Sequence, residues 1–506
     1  MPELQSIRCV FSPIMGTLMA LAGAAIAQAE APPTSVSVSF GSLAFAPCTL
    51  SQAGQSQTVP ARCATLRVPE DRSSANGRMI ELAIAWVPSA AKSPAKDPVV
   101  MLAGGPGQSA LEAFPAVYPA FREILRHRHV LLVDQRGVGK SNPLACPRTL
   151  NDEALQLLDT AGVDEARRLT ADCLEELGPN VDVRAYTTSA YIADLEDVRR
   201  ALGVAQFNLV GASYGTRVGL EYLRRHPASI RTVVLDSVVP PSLALGNEHA
   251  KNLEAAVAAQ FARCTADAEC TKRFGSPRVR LDELRQRLHE HPQTVTYRDP
   301  LTNEQRQDEF TDASLASIVR FYSYAPQLFG MLPMLLAEAA NGQFENLMAQ
   351  SRMMEQLIGE QIYVPLQLSV MCAEDAPGLR VDPADAGTIL GTEFVDYTLA
   401  QCAVWPRGTM PKDFHAAVKS DKPVLLLSGE LDPVTPPRYG DEVARTLPNS
   451  RHFVLRGQGH SVMGVGCAPR LVAEFIAAAD AQALDGKCLD QLQYSPPFGG
   501  SYGWDP

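Results

Sequence analysis

The chain has 506 residues, 46% of them apolar and 20% charged, with a formal net charge of −11. That balance argues against a disordered or fibrous chain, and the acidic sign argues against nucleic acid or anionic membrane as main partners, since both select basic surfaces. The length admits several domains, or one α/β unit carrying insertions.

At the N-terminus, Arg8 precedes the small, apolar segment "MGTLMALAGAAIAQA", which offers Ala-x-Ala sites ending at Ala27 and Ala29. This pattern reads as a signal peptide over residues 1–29, so an exported protein is expected, periplasmic or extracellular and without stable membrane insertion after cleavage. The apolar run is short for a membrane span. Of the 11 cysteines, 10 remain once Cys9 is removed with the signal. An even number suits a disulfide-permitting compartment, and pairing neighbours in order closes the shortest loops. None has the spacing of a zinc site, and no metal or cofactor is expected.

After the signal, "ARCATLRVPEDRSSANGRMIELAIAWVPSA" alternates in polarity on either side of an Asn-Gly turn, as a hairpin does. Short β-branched runs of the fully buried type follow: "PVVMLAG", "HVLLVDQ", "FNLVGAS", "TVVLDSV", "PVLLLSG" and "RHFVLRG". Helical patterns lie between them, such as "TSAYIADLEDVRRALG", which stops at a glycine. A mostly parallel sheet with helices on both faces is implied. From Pro241 to Trp405 the alternation gives way to helical periodicity with little strand character, so an inserted helical cap over 241–405 is expected. It divides the core into a first part, 30–240, and a second, 406–506. The methionines of the insertion, Met331, Met334, Met348, Met353 and Met354, are expected to fill core gaps.

Two glycine-rich loops invite comparison with phosphate sites. In "VDQRGVGKSN" the Gly-Lys-Ser lacks a glycine five positions earlier, where Asp134 stands, so a Walker loop is not supported. The other, "AGGPGQSA", follows the strand "PVVML".

The strongest chemical signal is "LVGASYGTRVGLEYLRRHP", in which Gly211-Ala212-Ser213-Tyr214-Gly215 forms G-x-S-x-G between a strand and a helix. Small neighbours two residues away on each side let the backbone turn sharply and expose the serine. A serine nucleophile needs a base, and the base needs a carboxylate, in the chain order Ser, Asp, His. Asp432 stands just past a strand in "PVLLLSGELDPVTPP", and His460 stands in the glycine-flanked loop of "RHFVLRGQGHSVMG". Asp236 and Glu430 are rival acids. The expected oxyanion donors are the N–H of Tyr214 and an N–H of the "AGGPGQSA" loop.

Together these segments resemble peptidase family S33 of the α/β hydrolases, the proline iminopeptidase and tripeptidyl aminopeptidase group. The similarity spans nearly the whole mature chain, with "CATLRVPEDR", "GGPGQS", "DQRGVGKSN", "GASYGT", "GELDPVTPP" and "GQGH" in family order. The resemblance implies an α/β-hydrolase fold with a helical cap, a nucleophile at Ser213, acid at Asp432, base at His460 and oxyanion donors at Gly105 and Tyr214. It makes Asp134, Arg136 and Gly137 scaffold. Proline iminopeptidases carry His-Gly-Gly-Pro-Gly where this chain has Ala103 in the histidine position, which points away from proline release, while the N-terminal hairpin, export signal, cysteines and long insertion resemble the secreted tripeptidyl aminopeptidase branch. Family exopeptidases hold the substrate ammonium with cap carboxylates, and Glu374 and Asp375 in "SVMCAEDAP" are the candidates here. The expected activity is therefore an exported serine aminopeptidase that cleaves peptides near free N-termini by a Ser-His-Asp acyl-enzyme mechanism and releases tripeptides or short N-terminal units. Carboxylic ester hydrolysis and proline release are the alternatives, because one triad serves all three.

Overall fold

The computed structural model describes residues 37–499 except 53, 55, 75, 150–161 and 360, with the backbone alone at 355–359. The expected signal peptide lies outside the described residues. All six β-branched runs form strands, since Val, Ile and Leu pack well on a pleated surface covered from both sides. They are β5 (Val99–Leu102), β6 (Val130–Val133), β7 (Phe207–Ala212), β8 (Ile230–Asp236), β11 (Val424–Gly429) and β12 (Ser450–Leu455). Four antiparallel strands precede them, β1 (Val38–Phe40), β2 (Leu43–Ser51), β3 (Thr58–Pro69) and β4 (Met79–Val87), and the expected hairpin is the β3–β4 pair. The ten strands make one sheet in the order β1-β2-β3-β4-β6-β5-β7-β8-β11-β12.

Strand order decides where the chemistry gathers. β5 runs parallel to β6 on one side and to β7 on the other, so the connections leave its end in opposite directions and open a crevice there. Leu102 pairs with Gly211, which puts the "AGGPGQSA" loop beside the G-x-S-x-G turn. Ala212 pairs with Asp236 on the next strand, and Leu427 of β11 pairs with Asp236 from the other side.

Helices α1 (Ala110–Leu125), α2 (Val163–Leu177), α3 (Thr188–Ala201) and α4 (Tyr214–Arg225) belong to the first half of the chain. Ser109 caps α1 by accepting from the N–H of Glu112 and donates its hydroxyl to Asp134, which also accepts from Leu111 N–H. Arg136 is fully buried and donates to Asp194, Glu70 and Ala185 at 2.6–3.1 Å. Asp134 and Arg136 thus tie the end of β6 to α1, α3 and the hairpin, which is a scaffolding arrangement.

Between β8 and β11 the chain forms α5 (His249–Ala266), α6 (Ala268–Phe274), α7 (Pro277–Glu290), α8 (Asp312–Tyr322), α9 (Pro326–Phe329), α10 (Leu332–Ala340), α11 (Glu345–Gly359), α12 (Val364–Glu374) and α13 (Glu393–Cys402). The segment also holds a hairpin of β9 (Gln293–Arg298) and β10 (Gln305–Phe310), which is the little strand character it has among the described residues. "TVTYR" and "RQDEF" are short and polar on one side, and Asn303 at φ +62° makes their turn. Residues of α5, α7, α8, α10 and α11 share an apolar cluster, in which Phe261, Leu281, Val319 and Leu336 are buried. Helix α12 differs, because Leu366, Leu368, Val370 and Met371 pack into the cluster that lies on the sheet.

The five disulfides join neighbours in order, as expected: Cys48–Cys63, Cys146–Cys173, Cys264–Cys270, Cys372–Cys402 and Cys467–Cys488. Among the described residues no helix is long and apolar enough to cross a membrane, and no His, Cys, Asp or Glu group is arranged to hold a metal.

Candidate active site

Ser213 sits at φ +54°, a conformation side chains rarely adopt, between β7 and α4. The two flanking glycines are what permit it. A Cβ on Gly211 would lie 2.3 Å from the carbonyl oxygen of Gly215, and one on Gly215 would lie 2.2 Å from that of Leu102. The Ser213 N–H donates to Asp236 O at 2.9 Å, which fastens the turn to the adjacent strand. Tyr214 is the first residue of α4, so its N–H has no helical carbonyl to meet.

The loop after β5 packs against this turn, since a Cβ on Gly104 would stand 3.5 Å from Ser213 Cβ. Gly105 has φ +99°, and a Cβ there would come within 2.7 Å of Gly107 N. The Gly104 N–H already donates to Gln108 Oε1 at 3.3 Å, which leaves Gly105 as the loop's next donor. Gly107 O accepts from Tyr363 N–H at 2.9 Å, so the inserted segment holds the loop from outside.

Asp432 and His460 meet across 28 residues. The Nδ1 of His460 lies 2.8 Å from Oδ2 and 3.0 Å from Oδ1 of Asp432, and 3.2 Å from the Thr435 hydroxyl. Asp432 is buried and accepts from Val434 N–H, Thr435 N–H and the Thr435 hydroxyl at 2.8–2.9 Å. Burial alone would raise its pKa, but the His460 charge and these donors outweigh burial and bring it down to about 2. Burial disfavours the His460 imidazolium, yet Asp432 prevails and His460 is held above its ordinary pKa. With Nδ1 engaged, Nε2 is the nitrogen left to accept a proton. The His460 N–H donates to Tyr324 O at 2.9 Å, and the two rings meet edge to face at 5.1 Å.

The rival acid Asp236 has a different partner set. Its carboxylate accepts from Val462 and Met463 N–H at 2.9 and 2.8 Å, so it holds the loop after His460 rather than the imidazole. Burial pushes its carboxyl up to about 6. The other rival, Glu430, accepts from Gly457 N–H and the Tyr494 hydroxyl.

Ser213, His460, Gly104 and Gly105 line one cavity of about 1010 Å³. Its walls come from α1 (Ala113, Val117, Phe121), α8 (Ile318, Arg320, Phe321), Tyr324, Met354 and Phe394. Phe321 and Tyr324 reach it, while Tyr322 is buried in the insertion's cluster. Met354 also reaches it, whereas Met348 is buried in that cluster.

The expectation for Glu374 and Asp375 needs correction, because neither lines the cavity and their relative exposures are 1% and 0%. Asp375 pairs with the buried Arg217 at 2.8 Å and accepts from Leu245 N–H. Glu374 accepts from the N–H and hydroxyl of Thr188 at 2.8 and 2.9 Å, and that hydroxyl also lies 2.6 Å from the Tyr214 hydroxyl. Both carboxylates sit where α12 enters the core, so the apolar flank "SVMC" carries them inward. Burial, with Asp375 nearby and against the pull of Arg217, raises Glu374 to about 8.

A family model described as the alpha/beta hydrolase fold matches residues 97–466, well over half of the chain. The chain belongs to the α/β hydrolases. This α/β hydrolase is 25% identical over 463 residues to a protein of Mycobacterium tuberculosis named serine protease Hip1, covering 85% of this chain and 87% of that one. It is 27% identical over 432 residues to Carboxylesterase B of the same organism, covering 78% and 80%. To the tripeptidyl aminopeptidase of Streptomyces coelicolor it is 30% identical over 197 residues, 36% of each chain.

Proposed function

We propose that the chain is an exported serine peptidase of the S33 type that takes a short unit at one end of a peptide and hydrolyses the peptide bond at its carbonyl carbon through an acyl-enzyme. In this reading Ser213 attacks, His460 takes the proton through Nε2 and returns it to the leaving group, and Asp432 holds the imidazole in the reactive tautomer. The N–H groups of Gly105 and Tyr214 receive the tetrahedral oxyanion, each worth roughly 3 to 4 kcal/mol in such sites.

The observation that carries it is the 2.8 Å contact of the buried Asp432 with His460, which lines the same cavity as Ser213. The cavity lies at the upper end of the usual range for small-ligand sites, roughly 300–1,000 Å³, which favours a short peptide unit over a protein loop. The five disulfides favour export. A second reading, ester hydrolysis, has specific support in the similarity to Carboxylesterase B over 78% of the chain.

The test is a panel of aminoacyl, dipeptidyl and tripeptidyl anilides beside simple esters, with a serine-reactive phosphonate as label. Anilide turnover and labelling that both vanish in Ser213→Ala are the expected result. Turnover that survives in that variant rejects the mechanism, and ester turnover without anilide turnover favours the second reading.

A further inference from the structure

One charged side chain of the cavity wall has no partner of opposite charge among the described residues. Arg320 stands in the last turn of α8, one helical turn before Tyr324, whose ring meets His460. Its guanidinium lies 5.5 Å from the ring centre of Phe321 and 5.3 Å from that of Phe394, both of which line the cavity with it. Among the described residues it forms no ion pair. The other arginine of the wall, Arg352, has Asp299 at 4.0 Å. The one carboxylate of the described wall, Asp236, is occupied by two backbone N–H groups. His249, near both Arg320 and His460, is held neutral because burial and then the charge of Arg320 push its pKa down to about 3.

A half-buried guanidinium facing aromatic rings is only partly compensated, since ring faces attract a cation more weakly than a carboxylate does. Its planar donor fork suits a carboxylate. We propose that Arg320 is a specificity-determining residue that receives a carboxylate of the substrate, so that anionic substrates are preferred over neutral ones and over those presenting an ammonium in this cavity. The inference rests on the serine-hydrolase reading of the cavity and names what the cavity selects. The carboxylate has two possible sources, a group on the acyl side of the scissile bond or the terminal carboxylate of the leaving peptide.

Two sets of peptides separate the sources. Trialanine anilides with a succinylated, acetylated or free amino end place an anion, a neutral group or a cation on the acyl side. Acetylated alanine peptides ending in a carboxylate or an amide vary the leaving side. In at least one set the anionic member has a kcat/KM about tenfold or more above its neutral partner. In Arg320→Met that ratio falls to within twofold, and in Arg320→Lys most of it survives. Each ratio is taken within one variant, so a loss of folded protein cancels, and if Arg320→Met does not fold the wild-type and Arg320→Lys ratios decide. Ratios within twofold in both sets for the wild type, or a ratio unchanged in Arg320→Met, overturn the inference. Calorimetric binding of the same peptides to Ser213→Ala distinguishes the two failures. Binding that favours the anion without any wild-type turnover rejects the proposed activity and supports the role of Arg320, while turnover without anion preference does the reverse.

Discussion

Nδ1 of His460 contacts both oxygens of Asp432, at 2.8 and 3.0 Å, and the carboxylate is held in place by two backbone N–H groups of its own turn. The proton on Nδ1 is thereby directed at Asp432, and a charged imidazole at this position is stabilised by the carboxylate. A raised His460 pKa means that the neutral, proton-accepting form is reached only above the ordinary histidine range. The acid limb of a kcat/KM profile is therefore expected above about pH 6.5. Asp432→Asn should shift that limb downward and reduce kcat by roughly 10³ to 10⁴, as read from a pH series on the anilide substrate. An unshifted limb counts against the pairing.

Arg217, Glu374 and Asp375 share one positive and two acidic groups inside the core, and the two acids should respond differently to substitution. Glu374 has a folded-state pKa of about 8, above its unfolded value near 4. Its contribution to stability is therefore present below about pH 4 and lost as pH rises through 8. Glu374→Gln removes that loss, so its urea midpoint should gain on the wild type between pH 5 and pH 8. Asp375→Asn leaves the buried Arg217 undercompensated and should cost about 3 to 5 kcal/mol. Neither change should alter the preference between free-amine and acetylated peptides, because neither carboxylate touches the cavity.

The glycines of the two site loops have different tolerances. Gly215→Ala would drive a methyl into Leu102 O at 2.2 Å, so soluble protein should be lost. Gly105→Ala strains one loop residue at φ +99° by roughly 1 to 3 kcal/mol. It should leave a folded protein whose kcat is lower by about 10² to 10³ at similar KM. Gly219→Ala meets its first neighbour only at 3.5 Å and serves as the control, with stability within about 1 kcal/mol of the wild type.

The Cys372–Cys402 bond closes a 30-residue loop between α12 and α13. By loop entropy its removal as a Cys372→Ala/Cys402→Ala pair should cost about 3 to 4 kcal/mol. Calorimetric Tm should fall while the ratio of anionic to neutral substrate turnover stays constant. A changed ratio would mean that the bond shapes the cavity.

Much of the site was legible from short stretches. Ser213, Asp432 and His460 each stand just beyond a β-branched run, and a strand end followed by glycine or proline is a local signal. Asp432 forms its turn with Val434 and Thr435, so even its hydrogen-bond donors lie within three residues. The motif favours Asp432 over Asp236, although both follow buried strands, and the partners of Asp236 were not legible. They depend on β8 lying between β7 and β11, which aims Asp236 at the loop of Val462 and Met463. Arg320 gave no signal beyond one more arginine in a helical pattern.

By itself the sequence determined the features that rest on neighbours along the chain: buried strands, the tight turn around Ser213, helix stops and the pairing of nearby cysteines. Tertiary structure alone decided which charges meet, because such contacts join residues far apart in the chain. Arg217 finds Asp375 across 158 residues, and that encounter turned two expected ammonium ligands into core partners. The same packing left Arg320 on the cavity wall without a counter-charge among the described residues. A carboxylate reads alike on a surface and in a core, and only burial and the nearest cation distinguish the two.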